Sequence, residues 1–284
     1  MIQTVSGKTR VVGIIGSPIS HSLSPVMHNA AFAACSLDYV YVPFAVAPDN
    51  LHQAVCGLKV LGVCGFNVTI PHKTAIIPYL DSLDESAESA GAVNTVVSGS
   101  TGFIGYNTDG DGLVDSLQMD LDFAPPSGRI LIMGAGGAAR GAIAALCRSG
   151  AKGIVICNRS QGKAEYLAHY FSVRYPDTCI TVAAVEKMDV KFLTSISLVL
   201  NTTSLGMNGE EIKGFNPAHL PAHSKIYDMV YSQVVTPLVK SASSSGLRAV
   251  NGLGMLVAQG ERAFKIWTGQ NAPEGVMRQA LYRI

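Results

Sequence analysis

Charged residues are scarce in this chain, at 14% of its 284 residues, and their signs nearly cancel to a net charge of +1. Because neither sign is in excess, we expect no nucleic-acid partner and no membrane partner. The low charge goes with 48% hydrophobic residues, which is enough apolar material for two cores. A chain of this length and composition is therefore expected to form two domains.

Cysteine is also sparse, and none of the six cysteines forms a CxxC pair. Most lie in apolar strand or helix patterns, which is typical of reduced core residues in a cytoplasmic protein, and no metal site is expected.

A signal-type apolar block is missing from residues 1–10. The uncharged stretch 11–37 is long enough to cross a bilayer, but its prolines, serines, histidines and asparagine argue against a membrane span.

The most informative feature that is present is a glycine turn near the middle of the chain. Gly134, Gly136 and Ala139 follow the apolar run 130–133 and open an alanine-rich stretch. A strand that ends in G-x-G-x-x-A and turns into a helix directs free backbone N–H groups towards a pyrophosphate. Glycines after a strand also serve ordinary tight turns, so the turn alone leaves both interpretations open.

The next strand of this half ends in Asn158, Arg159 and Ser160, where an NAD-binding unit would carry an acidic residue for the ribose hydroxyls. Arg159 instead offers a planar fork of donors for a 2′-phosphate, Ser160 adds a hydroxyl, and Lys163 lies one turn further along a predicted helix. This chemistry favours NADP over NAD. The alternative interpretation is a solvated basic helix start.

Predicted strands and helices alternate along the whole chain, which indicates an α/β fold. About half the chain precedes the glycine turn, so the first half is expected to be a separate domain that holds a substrate. We expect a substrate-binding and catalytic α/β domain at 1–106, a Rossmann NADP-binding domain with a doubly wound parallel sheet at 107–252, and carboxy-terminal helices at 253–284 that return to the first domain. The predicted first-half strands are 11–15, 39–46, 63–70 and 93–97, and the predicted helices are 25–34, 50–61 and 82–88.

Polar side chains collect at the ends of the predicted first-half strands, where open α/β sheets bind ligands. Most carry hydroxyls or amides, which suits a polyhydroxylated small molecule whose hydroxyls need partners once they leave water. Lys73 and Asp109 are the only strongly charged members, and they form a reasonable proton-transfer pair beside a nicotinamide. The set comprises Ser20, His21, Ser22, Ser24, His28, Asn67, Thr69, His72, Lys73, Asn94, Thr95, Asn107, Thr108 and Asp109.

Several segments of the chain resemble the shikimate dehydrogenase family. The segment 16–25 (GSPISHSLSP) is similar to the family's amino-terminal substrate loop, and 66–73 (FNVTIPHK) is similar to its most distinctive block. The likeness continues in order through 91–95, 107–110, 134–140, 158–160, 201–204, 227–229, 236–238 and 251–259. It spans nearly the whole chain.

The resemblance implies two domains that flank a cleft and an NADPH-dependent, reversible reduction of 3-dehydroshikimate to shikimate in aromatic amino acid (chorismate) biosynthesis. Lys73 and Asp109 would form the catalytic pair at the reacting oxygen. The implied substrate-binding residues are Ser22, Ser24, Asn67, Thr69, Lys73, Asn94, Asp109, Tyr231 and Gln259. The implied cofactor-binding residues are Gly134, Gly136, Gly137 and Ala138 at the pyrophosphate, Asn158, Arg159, Ser160 and Lys163 at the adenosine phosphate, and Thr202, Met229 and Gly252 nearer the nicotinamide.

Alternatives remain open at this point. A quinate/shikimate dehydrogenase with broader substrate and cofactor use is one, although Arg159 weighs against it, and a relative acting on an aminoshikimate is another. A non-catalytic metabolite sensor would be expected to lack Lys73 or Asp109. Monomer and homodimer are both compatible with the sequence.

Overall fold

The computed structural model describes residues 5–184, 188, 190–231 and 235–282. The chain divides into two compact units, one formed by Met1–Gly112 with Val257–Ile284 and the other by Leu113–Leu256. These divisions fall a few residues after the boundaries at 106 and 252 that the sequence predicts, and both fall inside helices. No helix among the described residues has both the length and the apolar character needed to cross a membrane.

Each unit contains one six-stranded sheet. The strands are β1 (Arg10–Gly16), β2 (Tyr39–Ala45), β3 (Gly65–Val68), β4 (Ser82–Leu83), β5 (Thr95–Gly99), β6 (Gly102–Tyr106), β7 (Arg129–Met133), β8 (Gly153–Cys157), β9 (Cys179–Ala183), β10 (Leu198–Asn201), β11 (Lys225–Asp228) and β12 (Arg248–Asn251). The helices are α1 (Ser24–Ala34), α2 (Leu51–Val60), α3 (Glu85–Ala90), α4 (Asp109–Leu121), α5 (Gly137–Arg148), α6 (Gln161–Arg174), α7 (Val190–Leu193), α8 (Pro237–Ser244), α9 (Leu253–Thr268) and α10 (Val276–Leu281).

The sheet of the first unit is mixed, with the order β2-β1-β3-β5-β6-β4. β5 runs antiparallel to both of its neighbours, while the other pairs are parallel. One core of this unit contains Phe66 on β3 and Phe103 on β6, whose rings meet edge to face with centroids 5.3 Å apart. The antiparallel β5 matters for the site, because it brings its amino-terminal end beside the carboxyl ends of β3 and β6.

The sheet of the second unit is entirely parallel, with the order β12-β11-β10-β7-β8-β9. Counted from its first strand this is 6-5-4-1-2-3, which is the strand order of a Rossmann fold, and the predicted fold class is confirmed. Alternate residues of β7 enter two different cores: Ile130 and Ile132 join one, and Leu131 and Met133 join the other. Burial on both faces is what makes such strands continuously apolar in sequence.

Some predicted elements are wrong in detail. The predicted helix 82–88 is a short strand, β4, followed by helix α3, which Asp84 caps by accepting a hydrogen bond from the Ser86 backbone N–H. Strand β6 and helix α4 are absent from the prediction. Their sequences contain glycines at Gly102 and Gly105 and at Gly110 and Gly112, which weaken both the strand and the helix patterns.

Candidate active site

An ion pair between Lys73 and Asp109 forms the centre of the first unit's polar cluster. Lys73 Nζ lies 2.5 Å from Asp109 Oδ2, and the two side chains are 32% and 23% exposed. The pair is therefore held by the protein but remains accessible to a ligand. The structure brings together the two residues that the sequence singles out as a proton-transfer pair.

Asn94 fixes the second oxygen of this carboxylate. Its Nδ2 donates to Asp109 Oδ1 at 2.8 Å and lies 2.9 Å from Thr108 Oγ1 and 3.4 Å from Gln259 Oε1. Its Oδ1 accepts a hydrogen bond from the Thr108 backbone N–H at 2.8 Å. Through these bonds Asn94 orients the Asp109 carboxylate.

The chain segments that carry these residues are tied to one another through the backbone. The loop after β3 is anchored where the Lys73 carbonyl accepts a hydrogen bond from the Val93 N–H at 2.7 Å, just before β5. His72 is buried and its Nε2 lies 2.7 Å from the Val46 carbonyl oxygen, so this nitrogen donates and the ring secures the same loop. Asp109 is the first residue of α4, where a negative charge is stabilised by the helix dipole.

Asn67, on β3, faces Thr95 across the antiparallel pair. Its Nδ2 donates to the Asn94 carbonyl and to Thr95 Oγ1, both at 3.0 Å, and its Oδ1 lies 2.7 Å from the Tyr41 hydroxyl. Asn67 therefore joins the same network as Lys73 and Asp109. Tyr41 is not among the predicted site residues, because β2 reads as an apolar run in which its ring is indistinguishable from a core aromatic.

Two serines and a threonine complete the predicted substrate side of this unit. Ser22 Oγ accepts a hydrogen bond from the Ser24 backbone N–H at 3.3 Å, and Ser24 is buried. Thr69 follows β3 and packs against Gly16, where a Cβ would lie 2.4 Å from Thr69 Cγ2. This close approach explains why a glycine ends β1.

His28 does not take part in this polar cluster, although the sequence places it there. Its ring is fully buried and stacks on Tyr41 with centroids 4.6 Å apart, and neither ring nitrogen has a hydrogen-bond partner among the described residues. Burial lowers the pKa of His28 to about 3, so the imidazole is neutral near physiological pH. It serves as an aromatic packing residue behind the site.

The glycine turn of the second unit has the form that the sequence predicts. Gly134 follows β7 with φ +114°, and a Cβ there would lie 2.5 Å from Thr202 Oγ1. Gly136 precedes α5 and Gly137 begins it; both are exposed, as is Ala138, and a Cβ at either glycine would meet no atom within 4 Å. The amino terminus of α5 therefore presents its first-turn amides to open space, which fits a pyrophosphate.

The loop between β8 and α6 holds the predicted adenosine-phosphate residues. Asn158 Nδ2 donates to the Ser160 carbonyl at 2.8 Å and shapes the turn. Arg159, Ser160 and Lys163 are exposed, and the Ser160 side chain makes no capping bond to α6. Two cations and a hydroxyl are thus presented at a helix amino terminus, which fits a 2′-phosphate.

The remaining predicted cofactor residues lie at the carboxyl ends of β10, β11 and β12. Thr202 Oγ1 donates to the Met133 carbonyl at 2.7 Å and ties β10 to β7, at the point where the strand order reverses. Gly252 approaches Met229 so closely that a Cβ would lie 2.4 Å from the Met229 carbonyl oxygen. Tyr231, predicted to contact substrate, belongs to this second unit and is 44% exposed.

A buried carboxylate supports this end of the sheet and is missing from the predicted site. Asp228 accepts hydrogen bonds from Asn201 Nδ2 at 2.8 Å and from Thr236 Oγ1 at 2.6 Å, and burial raises its pKa. The nearby loop is closed by Glu210, which accepts bonds from the backbone N–H groups of Gly206 and Asn208. Asp228 and Glu210 hold backbone in place.

Comparison with known proteins gives a consistent result across the chain. Residues 14–96 match the shikimate dehydrogenase substrate binding domain, residues 122–204 match the shikimate / quinate 5-dehydrogenase family, and residues 252–282 match the shikimate 5'-dehydrogenase C-terminal domain. The chain is 50% identical over 279 residues to a protein of Geobacter metallireducens named shikimate dehydrogenase (NADP(+)). That alignment covers 97% of this chain and 96% of the relative.

Solved structures agree with the sequence relatives. The Listeria monocytogenes shikimate 5-dehydrogenase, crystallised with shikimate and NAD, superposes with a TM-score of 0.91 at 34% identity, over 99% of each chain. The Thermus thermophilus shikimate 5-dehydrogenase, crystallised with NADP(H) and shikimate, superposes with a TM-score of 0.85 at 29% identity, over 97% of this chain and 99% of that one.

Proposed function

The chain belongs to the shikimate dehydrogenase family, and from this premise we propose how its own residues carry out the NADPH-dependent, reversible reduction of 3-dehydroshikimate to shikimate. The single observation that supports the chemistry best is the accessible ion pair of Lys73 and Asp109, at 2.5 Å. An enzyme that adds hydride to a ketone needs a proton donor at the carbonyl oxygen. The Lys73 ammonium is a suitable donor within the hydroxyl-rich cluster.

Lys73 is proposed to donate a hydrogen bond from Nζ to the substrate carbonyl and to pass a proton to that oxygen as the alkoxide forms. NADPH supplies the hydride. Asp109 holds the ammonium through Oδ2 and accepts a hydrogen bond from a neighbouring substrate hydroxyl. Asn94, which donates to Asp109 Oδ1 at 2.8 Å, keeps the carboxylate in the orientation that both contacts need.

Substrate binding is proposed for the polar side chains around this pair. Hydroxyl and amide groups suit a polyhydroxylated ring, because each substrate hydroxyl finds a donor or acceptor to replace water. Ser22 and Ser24 lie at the start of α1, and Thr69 follows β3. Asn94 donates to Asp109, and Asn67 and Gln259 are linked to Asn94 by hydrogen bonds. Tyr231 is proposed as a further substrate contact.

Cofactor binding is proposed for the second unit alone. The open amino terminus of α5, with Gly134, Gly136, Gly137 and Ala138, suits the pyrophosphate, and Asn158, Arg159, Ser160 and Lys163 suit the adenosine phosphate. Thr202, Met229 and Gly252 are assigned to the nicotinamide end.

The exposed free thiols of Cys56 and Cys179 support a cytoplasmic site of action as part of the same proposal.

The test of this proposal is the kinetics of Lys73→Ala. Removing a general acid or base typically lowers the rate by about 100- to 10,000-fold, and Lys73 would act as the base when the reaction runs towards oxidation. The kcat for shikimate oxidation should therefore fall in that range while the variant still binds shikimate. Lys59→Ala is the matched control. Lys59 Nζ forms an exposed ion pair with Asp81 Oδ2 at a distance of 2.8 Å, outside the polar cluster, so this substitution should leave kcat unchanged. A near-normal kcat with a raised KM would make Lys73 a binding residue only.

A further inference from the structure

A buried tyrosine stands behind the proposed substrate side of the first unit. Tyr41, on β2, is 2% exposed, and its hydroxyl lies 2.7 Å from Asn67 Oδ1. The phenolic hydroxyl therefore joins β2 to the Asn67 side chain on β3, two strands away in the sheet.

The direction of these hydrogen bonds follows from the groups themselves. The backbone carbonyl of Asn94 can only accept, so the Asn67 atom 3.0 Å from it must be Nδ2. Oδ1 of Asn67 therefore faces Tyr41, and because this oxygen can only accept, the Tyr41 hydroxyl must donate. The Asn94 carbonyl thus sets which way the Asn67 amide points, and the Tyr41 hydroxyl holds the Asn67 oxygen in that orientation while leaving it a second lone pair.

Several contacts hold Tyr41 in place, some to its ring and some to its backbone. Its ring stacks on the neutral, buried ring of His28 with an interplanar angle of 8°, and Trp267 lies beside it with centroids 5.9 Å apart. Its backbone is clamped by one side chain: Asn29 Oδ1 accepts from the Tyr41 N–H at 2.8 Å, and Asn29 Nδ2 donates to the Tyr41 carbonyl at 3.0 Å. A phenol held on its ring and its backbone has little freedom to move its hydroxyl.

We propose that Tyr41 is a positioning residue for substrate recognition, which acts through Asn67 by holding the Asn67 side-chain oxygen towards Tyr41 and its amide nitrogen towards Asn94. The inference rests on the proposed substrate site and adds a residue to it. Among the described residues, Tyr41 makes no hydrogen bond to either member of the Lys73–Asp109 pair. Its loss should therefore affect substrate affinity more than the proton-transfer step.

The test is Tyr41→Phe, which keeps the stacked ring and removes only the hydroxyl. A hydrogen bond of ordinary net strength corresponds to a change of about 2- to 12-fold in affinity, so the KM for shikimate should rise within that range. Both kcat and the KM for NADP should stay within about 2-fold of the unmodified protein. Tyr39→Phe is the matched control, because Tyr39 is a buried tyrosine of the same strand whose ring stacks on Phe32. It should leave the shikimate KM unchanged.

A double-mutant cycle separates positioning from general loss of structure. In an Asn67→Ala background, Tyr41→Phe should change the shikimate KM by less than about 2-fold, because the group through which it acts is gone. The same rise in both backgrounds, or an unchanged KM in Tyr41→Phe alone, would overturn the inference.

A thermal-shift measurement tests the role of Tyr41 in shikimate binding without relying on catalytic turnover. Shikimate should raise the Tm of Tyr41→Phe less than it raises the Tm of Tyr39→Phe, whether or not turnover is observed. Absence of shikimate turnover by the unmodified protein would count against the proposed function, whereas equal Tm shifts in the two variants would count against the role of Tyr41.

Discussion

Burial determines the protonation state of individual residues behind the site, and His28 is the clearest case. The imidazole is fully buried among aromatic rings, and its two nitrogens have no hydrogen-bond partner among the described residues. A charged imidazole would be strongly disfavoured there, which is why burial lowers its pKa to about 3. Its role is to be a flat, neutral surface against Tyr41.

This burial predicts a pH dependence of stability. Below pH 6.5 the unfolded chain takes up a proton at His28 that the folded chain does not, so the free energy of unfolding falls as the pH falls from 6.5 towards about 3. Between pH 7 and pH 5 the loss from this one group should be about 2 kcal/mol, at 1.36 kcal/mol per pH unit.

The measurement for His28 is urea unfolding at the two pH values in the unmodified protein and in His28→Phe. The readout is the difference in unfolding free energy between pH 7 and pH 5, which should shrink by about 2 kcal/mol in the variant because phenylalanine does not titrate. An equal pH dependence in the two proteins would mean that burial does not lower the pKa of His28 and that the folded and unfolded chains take up this proton at the same pH.

At the level of strands and helices, one strand direction explains the site. Asn94 and Thr95 come at the start of β5, so only an antiparallel β5 can bring them beside the residues that follow β3 and β6. Sequence patterns identify Lys73, Asn94 and Asp109 through their chemistry, but they carry no information on strand direction. The sequence also could not reveal Tyr41 as part of the network, because a buried aromatic in an apolar strand has the same pattern whether or not its hydroxyl is used.

Two glycines within regular elements, Gly57 and Gly65, differ in the space that surrounds them. Gly57 lies within α2, and a Cβ there would meet no atom within 4 Å, so Gly57→Ala should stabilise the protein by about 0.5–1 kcal/mol through helix propensity alone. Gly65, on β3, differs, because a Cβ would lie 2.4 Å from Trp267 Nε1 and 2.5 Å from the Val96 carbonyl oxygen. Gly65→Ala should destabilise by about 1–3 kcal/mol.

Urea midpoints of the two glycine variants decide this point. The Gly57→Ala midpoint should lie above that of the unmodified protein and the Gly65→Ala midpoint below it, with similar slopes. A midpoint for Gly65→Ala equal to that of the unmodified protein would mean that Trp267, whose Nε1 donates to the Val96 carbonyl at 2.9 Å, is not held where the structure has it.

For the whole molecule, the two units differ in how much of their fold could be predicted. The second unit follows from one local motif, because a glycine turn between a buried strand and a helix belongs to a parallel sheet whose strand order is strongly constrained. The first unit has no such motif, and its mixed sheet depends on short strands such as β4, a pairing of two residues that the local sequence does not signal. Its function was predictable only from side-chain chemistry and family resemblance.

The most direct test of the account is the rate of shikimate oxidation by the unmodified protein with NADP and with NAD. Arg159 stands where an acidic residue would favour NAD, and a charge-assisted, bidentate contact to the 2′-phosphate is worth about 1.5 to 3 kcal/mol, or roughly 10- to 150-fold in affinity. We expect kcat/KM with NADP to exceed that with NAD by at least this factor, mainly through KM. Comparable kcat/KM for the two cofactors would contradict the account.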